Sequence, residues 1–253
     1  PDFRMGTDQD RLSCTGGGRL MLPGIASAML MAGESAAFEV EFCGSFEISG
    51  KTATASASSD IGEAHANSEI FLVYTTSKST DTLTAASTTV NGVAVTKASS
   101  EFTSAAPDPC VQSCAFASVP NGSGSVTVTA TYPTMPNALI AVYRVVNRPG
   151  KGNNQTDAST AYAGTGFETS VTVNGTTIDA NGLWFGVFCG LLAPSVPTPP
   201  SGTTADVDDS PIIDAKYQVC SRPIQGSSST PSDTWNTSAG SNQQLAASTW
   251  TFA

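Results

Sequence analysis

The chain has 253 residues and a net charge of −10, with only 11 Lys and Arg against 21 Asp and Glu. The few cations are scattered, so no basic patch can displace counterions from phosphates; nucleic acid is excluded as an expected partner, and an anionic membrane surface with it. Hydrophobic residues at 40% suffice for a packed core, and no stretch approaches the roughly 20 apolar residues that a membrane-spanning helix needs.

Ser and Thr occur 32 times each, about a quarter of the chain, charged residues make up 13%, and His65 is the one histidine. That balance favours a β-rich shell or contact surface over an enzyme. Residues 1–35 differ from the rest. They hold four of the five Met and the run Gly16-Gly17-Gly18, with few β-branched residues. They read as an arm that docks on another protein, with Phe3, Arg4, Met5 and Arg19 as the expected partner contacts. Within them, residues 20–32 imitate the apolar core of a signal peptide. Their distance from the N-terminus and the polar residues before them favour a buried apolar segment or short helix instead.

From residue 36 onward the pattern is that of one all-β domain, 36–253. Phe38, Val40 and Phe42 alternate with Glu39 and Glu41, the period of two of a half-buried strand. Gly44 interrupts, and Phe46 and Ile48 resume the alternation, which predicts a hairpin. Residues 52–59 are small and polar, a flat strand or a linker. Residues 70–74 (IFLVY) are apolar throughout, as a strand buried on both faces must be. In 89–95, Asn91-Gly92 supplies the two positive-φ residues of a type I′ hairpin turn. Residues 171–178 repeat the Val-Asn-Gly device; shared turn chemistry explains this more simply than an internal duplication.

Residues 125–132 alternate cleanly, and 138–146 (ALIAVYRVV) form a second dense apolar strand followed by a loop at 149–152. Residues 183–192 (LWFGVFCGLL) are a third, in which Gly186 and Gly190 permit bends or close backbone approach. Residues 193–204 and 227–241 read as surface loops. The segment 248–253 ends the chain as a paired strand, with Trp250 and Phe252 on one face. No helical period is sustained after residue 35. These features predict a β-sandwich, jelly-roll-like, with long excursions near 96–118, 147–168 and 193–245 at its loop ends.

The chemistry-bearing motifs are thin. The Gly50-Lys51-Thr52 ending of a phosphate loop lacks its upstream glycine, since Ser45 stands there, and no helical stripe follows. Ser123 does not sit in a Gly-x-Ser-x-Gly elbow, and His65 has no nucleophile at a telling spacing. No catalytic residue and no cofactor is expected. Asp206, Asp208 and Asp209 form an acidic stretch, the weak candidate for a metal, with calcium as the ion that such oxygens take; a solvated loop is the simpler reading. Trp235 lies in a polar segment, either as an exposed contact for a partner or glycan or as a loop anchor packed on the sandwich. Six cysteines at this chain length read as free, mostly buried thiols, and Cys110–Cys114 is the pair to test first for a local bridge.

Residues 89–95, 125–132 and 138–146, with the closing Trp250-Thr251-Phe252, give a chain that resembles tailed-bacteriophage virion proteins of the β-sandwich kind: capsid decoration (cement) proteins, head fibres and tail-fibre modules. The resemblance rests on short stretches spread over 89–253. It implies a non-enzymatic structural protein located in the virion and assembled in the host cytoplasm. Its partner would be the major capsid protein or another virion protein, and it would self-associate, as a trimer for instance. The alternatives are a tail-fibre or surface adhesin that binds host glycans, and a polysaccharide-degrading enzyme with a carboxylate pair that the sequence does not single out.

Overall fold

The computed structural model describes residues 38–49, 54–61, 67–77, 88–104, 110–118, 125–131, 137–148, 154–166, 168–191, 195, 197–212, 215–238 and 243–253. The arm of residues 1–35, with Phe3, Arg4, Met5 and Arg19, lies outside them, as do Cys14, Lys51, His65, Ser123 and the 149–152 loop. The described residues form sixteen strands and no helix. The first nine are β1 (Glu39–Ser49), β2 (Thr54–Asp60), β3 (Ser68–Ser77), β4 (Thr89–Val90), β5 (Val93–Ala94), β6 (Thr96–Thr103), β7 (Val111–Ser118), β8 (Ser125–Thr131) and β9 (Asn137–Val146). The remaining seven are β10 (Gln155–Gly166), β11 (Ser170–Val173), β12 (Leu183–Leu191), β13 (Thr204–Ile212), β14 (Ala215–Ser221), β15 (Asp233–Asn236) and β16 (Gln243–Phe252).

They pair antiparallel into four sheets. Sheet 1 has the order β1-β9-β3-β7-β6 and sheet 2 the order β10-β16-β12-β14-β13. A four-stranded sheet runs β2-β8-β4-β5, and β11 with β15 makes a two-stranded ribbon. Sheets 1 and 2 pack face to face as a β-sandwich. Phe71, Tyr143, Phe116 and Leu139 from sheet 1 meet Phe185, Val187, Tyr217, Trp250 and Phe252 from sheet 2 in one buried cluster. Phe71 is the hub, with the Phe116, Phe185 and Phe252 rings centred 5.5, 5.5 and 5.0 Å away.

Both central sheets are covered on their outer faces too. Ile70, Leu72, Tyr74, Ile140 and Val142 turn away from the sandwich interior and pack with Ile61, Val90 and Val95, under the four-stranded sheet. On the other side Trp184, Phe188, Leu245 and Ala247 pack under Val171, Val173 and Trp235 of the ribbon. The fold is thus four layers deep, where the sequence predicts two layers each burying one face. Double coverage is the physical reason for the unbroken apolar runs: all nine residues of β12 are buried, so no position in it favours a polar side chain.

Several details differ from the sequence-based expectation. Residues 38–48 are not a hairpin. β1 runs on through Gly44, which sits at φ +133° in a bulge where the register with β9 shifts. The turn Asn91-Gly92 is as predicted, with φ of 50° and 77° joining β4 to β5. Asn174-Gly175 is not a second such turn: only Gly175 has positive φ, at 85°, and the chain leaves β11 without pairing back on itself. The stretches taken as excursions contain β6, β7, β10, β13, β14 and β15. Their Ala, Ser and Thr give weak apolar contrast, and their place is set by partners distant in sequence rather than by local period. β16 is a paired strand as predicted, and it is central, hydrogen-bonded to β10 on one side and β12 on the other.

Gly186 shows why β12 carries a glycine amid large side chains. A Cβ there would run into the Trp184 ring and come within 3.0 Å of Trp235. The two indoles stack over it with centroids 6.5 Å apart, a packing only a bare backbone admits.

Candidate functional site

The two long sides of the sandwich are closed differently. On one side the edge strands β6 and β10 are stitched together. The Ser100 N–H donates to Gln155 Oε1 at 3.1 Å, Gln155 Nε2 donates to the Ser100 hydroxyl at 2.9 Å, and Trp250 Nε1 donates to the Ser100 carbonyl at 3.0 Å. On the other side the edge strands β1 and β13 flank a groove of about 400 Å³. Among the described residues, each of these two pairs with one neighbour, β9 and β14 respectively.

Phe38, Val40 and Phe42 form one wall of the groove, and Thr204, Asp206, Ser221, Arg222, Pro223 and Ile224 form the other. The alternation of β1 puts the three apolar side chains inward, partly buried on the main core, and leaves Glu39 exposed outside. Glu41 makes only a loose ion pair with Arg144, at 3.7 Å. Charged residues on an open edge discourage pairing with a second sheet, so these strands are guarded yet accessible.

Asp206 sits at the floor. The register of β13 against β14 shifts between Ala205 and Val207, and the extra residue turns its carboxylate across the sandwich, where the Tyr143 hydroxyl donates to Oδ2 at 2.8 Å. Burial raises the Asp206 carboxyl above the usual aspartate range, opposed by hydrogen bonds from Ser221 and Tyr143. Burial first, and then the Asp206 charge, hold the Tyr143 hydroxyl protonated well beyond the ordinary tyrosine range. Tyr143 therefore acts as a fixed donor. Asp206 is the single carboxylate among the described lining residues, so the site offers one proton-accepting group in a cleft of mixed polar and apolar lining rather than a pair of carboxylates.

Arg222, at the groove wall, is held from behind. Its guanidinium lies over the Trp184 ring at 4.8 Å, donates to the Ser201 carbonyl at 3.1 Å and pairs with the buried Asp233. Burial raises the Asp233 carboxyl above its usual range, and the Arg222 charge opposes this.

The acidic stretch is a strand, not a loop. Asp206 and Asp208 leave β13 on opposite faces: Asp206 meets Tyr143 in the other sheet, while Asp208 accepts from Gln218 Nε2 at 2.6 Å. They do not converge on one ion, and the Asp209 side chain is outside the described residues. No group of three metal-ligating side chains occurs among the described residues. Trp235 has no exposed surface. It belongs to β15, pairs with Val171 and stacks on Trp184, so of its two readings the packed anchor is the one that matches. Cys110 and Cys114 are not bridged to each other; both are free and buried.

Two polar arrangements escape the sequence. Arg148, just past β9, donates from Nε and Nη2 to both carboxylate oxygens of Glu69, at 2.8 and 3.1 Å, and from Nη1 to the Ala253 carbonyl at 2.9 Å. Both side chains are essentially without exposure. In the centre of the sandwich Gln112 of β7 donates to the Ala246 carbonyl at 3.2 Å and accepts from the Ser248 hydroxyl at 2.5 Å. A lone charge bordering an apolar run, as at Glu69 before 70–74 or Arg148 after 138–146, is the only local sign of the first.

No family model matches the chain, and neither a curated protein nor a solved structure matches it.

Proposed function

We propose that this chain is a non-enzymatic structural protein of a virus particle, a capsid decoration protein that stabilises the shell by bridging neighbouring subunits. The observation that carries the reading is the groove between the open edges of β1 and β13. Its apolar wall of Phe38, Val40 and Phe42 faces Asp206 and Arg222, and Glu39 lies exposed on the outer face of β1. Such a groove accepts an apolar side chain flanked by Lys or Arg, while the adjoining arm extends the contact surface.

The mechanism is mechanical. Surface buried across two capsid subunits must be exposed again before they part, so each bound copy adds to the work of separating them. A rigid four-layer body suits this role, and the low-charge, net negative exterior keeps it soluble until bound. Self-association as a trimer would multiply weak contacts through avidity. The location follows as the virion, with assembly in the host cytoplasm.

The test begins with the neighbouring genes. Capsids assembled from an adjacent major capsid gene should cosediment with the full chain. Deleting residues 1–35 should abolish cosedimentation while leaving the β-rich circular dichroism spectrum intact. Retained binding by the truncated chain, or glycan binding without capsid binding, would overturn the reading.

A further inference from the structure

We infer that Cys110 and Cys189 are a built-in covalent cross-link site, forming on oxidation a disulfide that joins the two sheets of the sandwich. Cys110 immediately precedes β7 in sheet 1, and Cys189 lies in β12 of sheet 2. Their sulfurs are 2.7 Å apart. Unbonded heavy atoms even of carbon size settle about 3.5–4.0 Å apart, and sulfur is larger. Two thiolates on one tetrahedral zinc, with bonds of about 2.3 Å, would stand roughly 3.8 Å apart. The observed spacing is too short for both and lies nearer to a bonded pair, at about 2.05 Å. The two sulfurs therefore already stand across the two sheets within a small shift of bonding distance.

The surroundings favour one defined bridge. Cys114 lies in the same cluster but is a separate free thiol, and the Cys189 sulfur also meets the Thr76 carbonyl at 3.6 Å and the Thr75 side chain. Cys110 is 3% exposed and Cys189 has no exposure. Burial keeps the Cys189 thiol protonated well above the ordinary range, and a thiol, unlike a thiolate, does not attack a disulfide. The bridge must then form while the chain folds or when β7 and β12 part transiently, and once formed it is shielded from reductant.

With a small-molecule disulfide such as oxidised glutathione as the oxidant, the step balances. The thiolate of one cysteine attacks a glutathione sulfur and expels one glutathione thiolate. The second cysteine thiolate then attacks the mixed disulfide and expels the other. The cysteine pair loses two electrons, and its two protons go to the departing glutathiones.

The experiment refolds the full chain from denaturant with either oxidised or reduced glutathione, alkylates the remaining thiols and maps them by mass spectrometry. After oxidative refolding the count of free thiols should fall from six to four, fragmentation should place the bridge on Cys110 and Cys189, and the thermal midpoint should rise by about 5–15 °C over the reduced chain. Cys114→Ser should keep both the bridge and the shift, while Cys110→Ser and Cys189→Ser should each lose them. Six alkylated thiols after oxidative refolding, or a bridge to Cys114 in place of Cys189, would overturn the assignment. Should a serine variant fail to fold, the mapping on the unaltered chain decides alone.

Discussion

Replacing Arg148 by Met should be among the most damaging single changes in this protein. The guanidinium makes two charge-assisted bonds to Glu69, at 2.8 and 3.1 Å, and a third bond to the Ala253 carbonyl. It also lies over the Phe71 ring at 5.4 Å. Methionine fills much of the volume but leaves the Glu69 carboxylate buried without its counter-charge. Breaking one side of a fully buried ion pair costs about 3–5 kcal/mol. At this chain length each kcal/mol moves the thermal midpoint by about 2–4 °C, so a fall of roughly 6–20 °C is expected. The decisive measurement is a double-mutant cycle in urea with Arg148→Met, Glu69→Leu and the pair together. An apolar pair leaves no stranded charge, so the double variant should lose less stability than either single. If Arg148→Met costs under about 1 kcal/mol, or if the double variant loses the sum of the singles, the pair is not the fastening argued for.

Asp206→Asn should remove part of the pH response. The folded-state pKa of Asp206 is raised, so its contribution to stability is full below the unfolded aspartate pKa, about 3.9, and is lost as pH climbs through the folded value. From pH 4 to 7, the wild-type thermal midpoint should therefore drop relative to that of Asp206→Asn, and parallel profiles would refute the assignment. Gly186→Ala places a methyl against Trp184 and Trp235 and should cost about 1–3 kcal/mol by urea titration, as overpacking does. Gly92→Ala meets no neighbouring atom but sits at φ +77°. Its loss should be backbone strain alone, on the order of 1 kcal/mol, with near-ultraviolet circular dichroism unchanged.

The strands that the sequence reveals are those whose every position shares one environment. Residues 70–74, 138–146 and 183–191 are apolar at every step but Arg144, because a sheet covers them above and below, and no folding detail is needed to see them. β10, β13 and β15 are hidden for the opposite reason. Gln155–Gly166 is nearly all small or polar side chains, and its strand character comes from pairing with β16 some 80 residues later in the chain. Trp235 misleads because its neighbours Asp233, Thr234 and Asn236 are polar. Asp233 is polar yet buried, since Arg222 reaches it from the next segment. The groove was legible in one wall only: the alternation of Phe38, Val40 and Phe42 is plain, but nothing local says that Asp206 will bulge out of β13 to face Tyr143. Pairs such as Glu69–Arg148 and Cys110–Cys189 are each 79 positions apart, beyond the reach of any pattern read along the chain.

The order of strands along the chain has a consequence for synthesis. β1 to β9 complete sheet 1 and its outer cover before any residue of sheet 2 has been made, so Phe71, Phe116 and Tyr143 must wait on a half-finished molecule with their rings bare to water. Relief comes late: β16, the last of the described strands in chain order, is the one to which β10 and β12 both bond. A ribosome that stalls before residue 243 would release a polypeptide with a large greasy face and two strands lacking their shared neighbour, a strong candidate for clumping or for capture by chaperones.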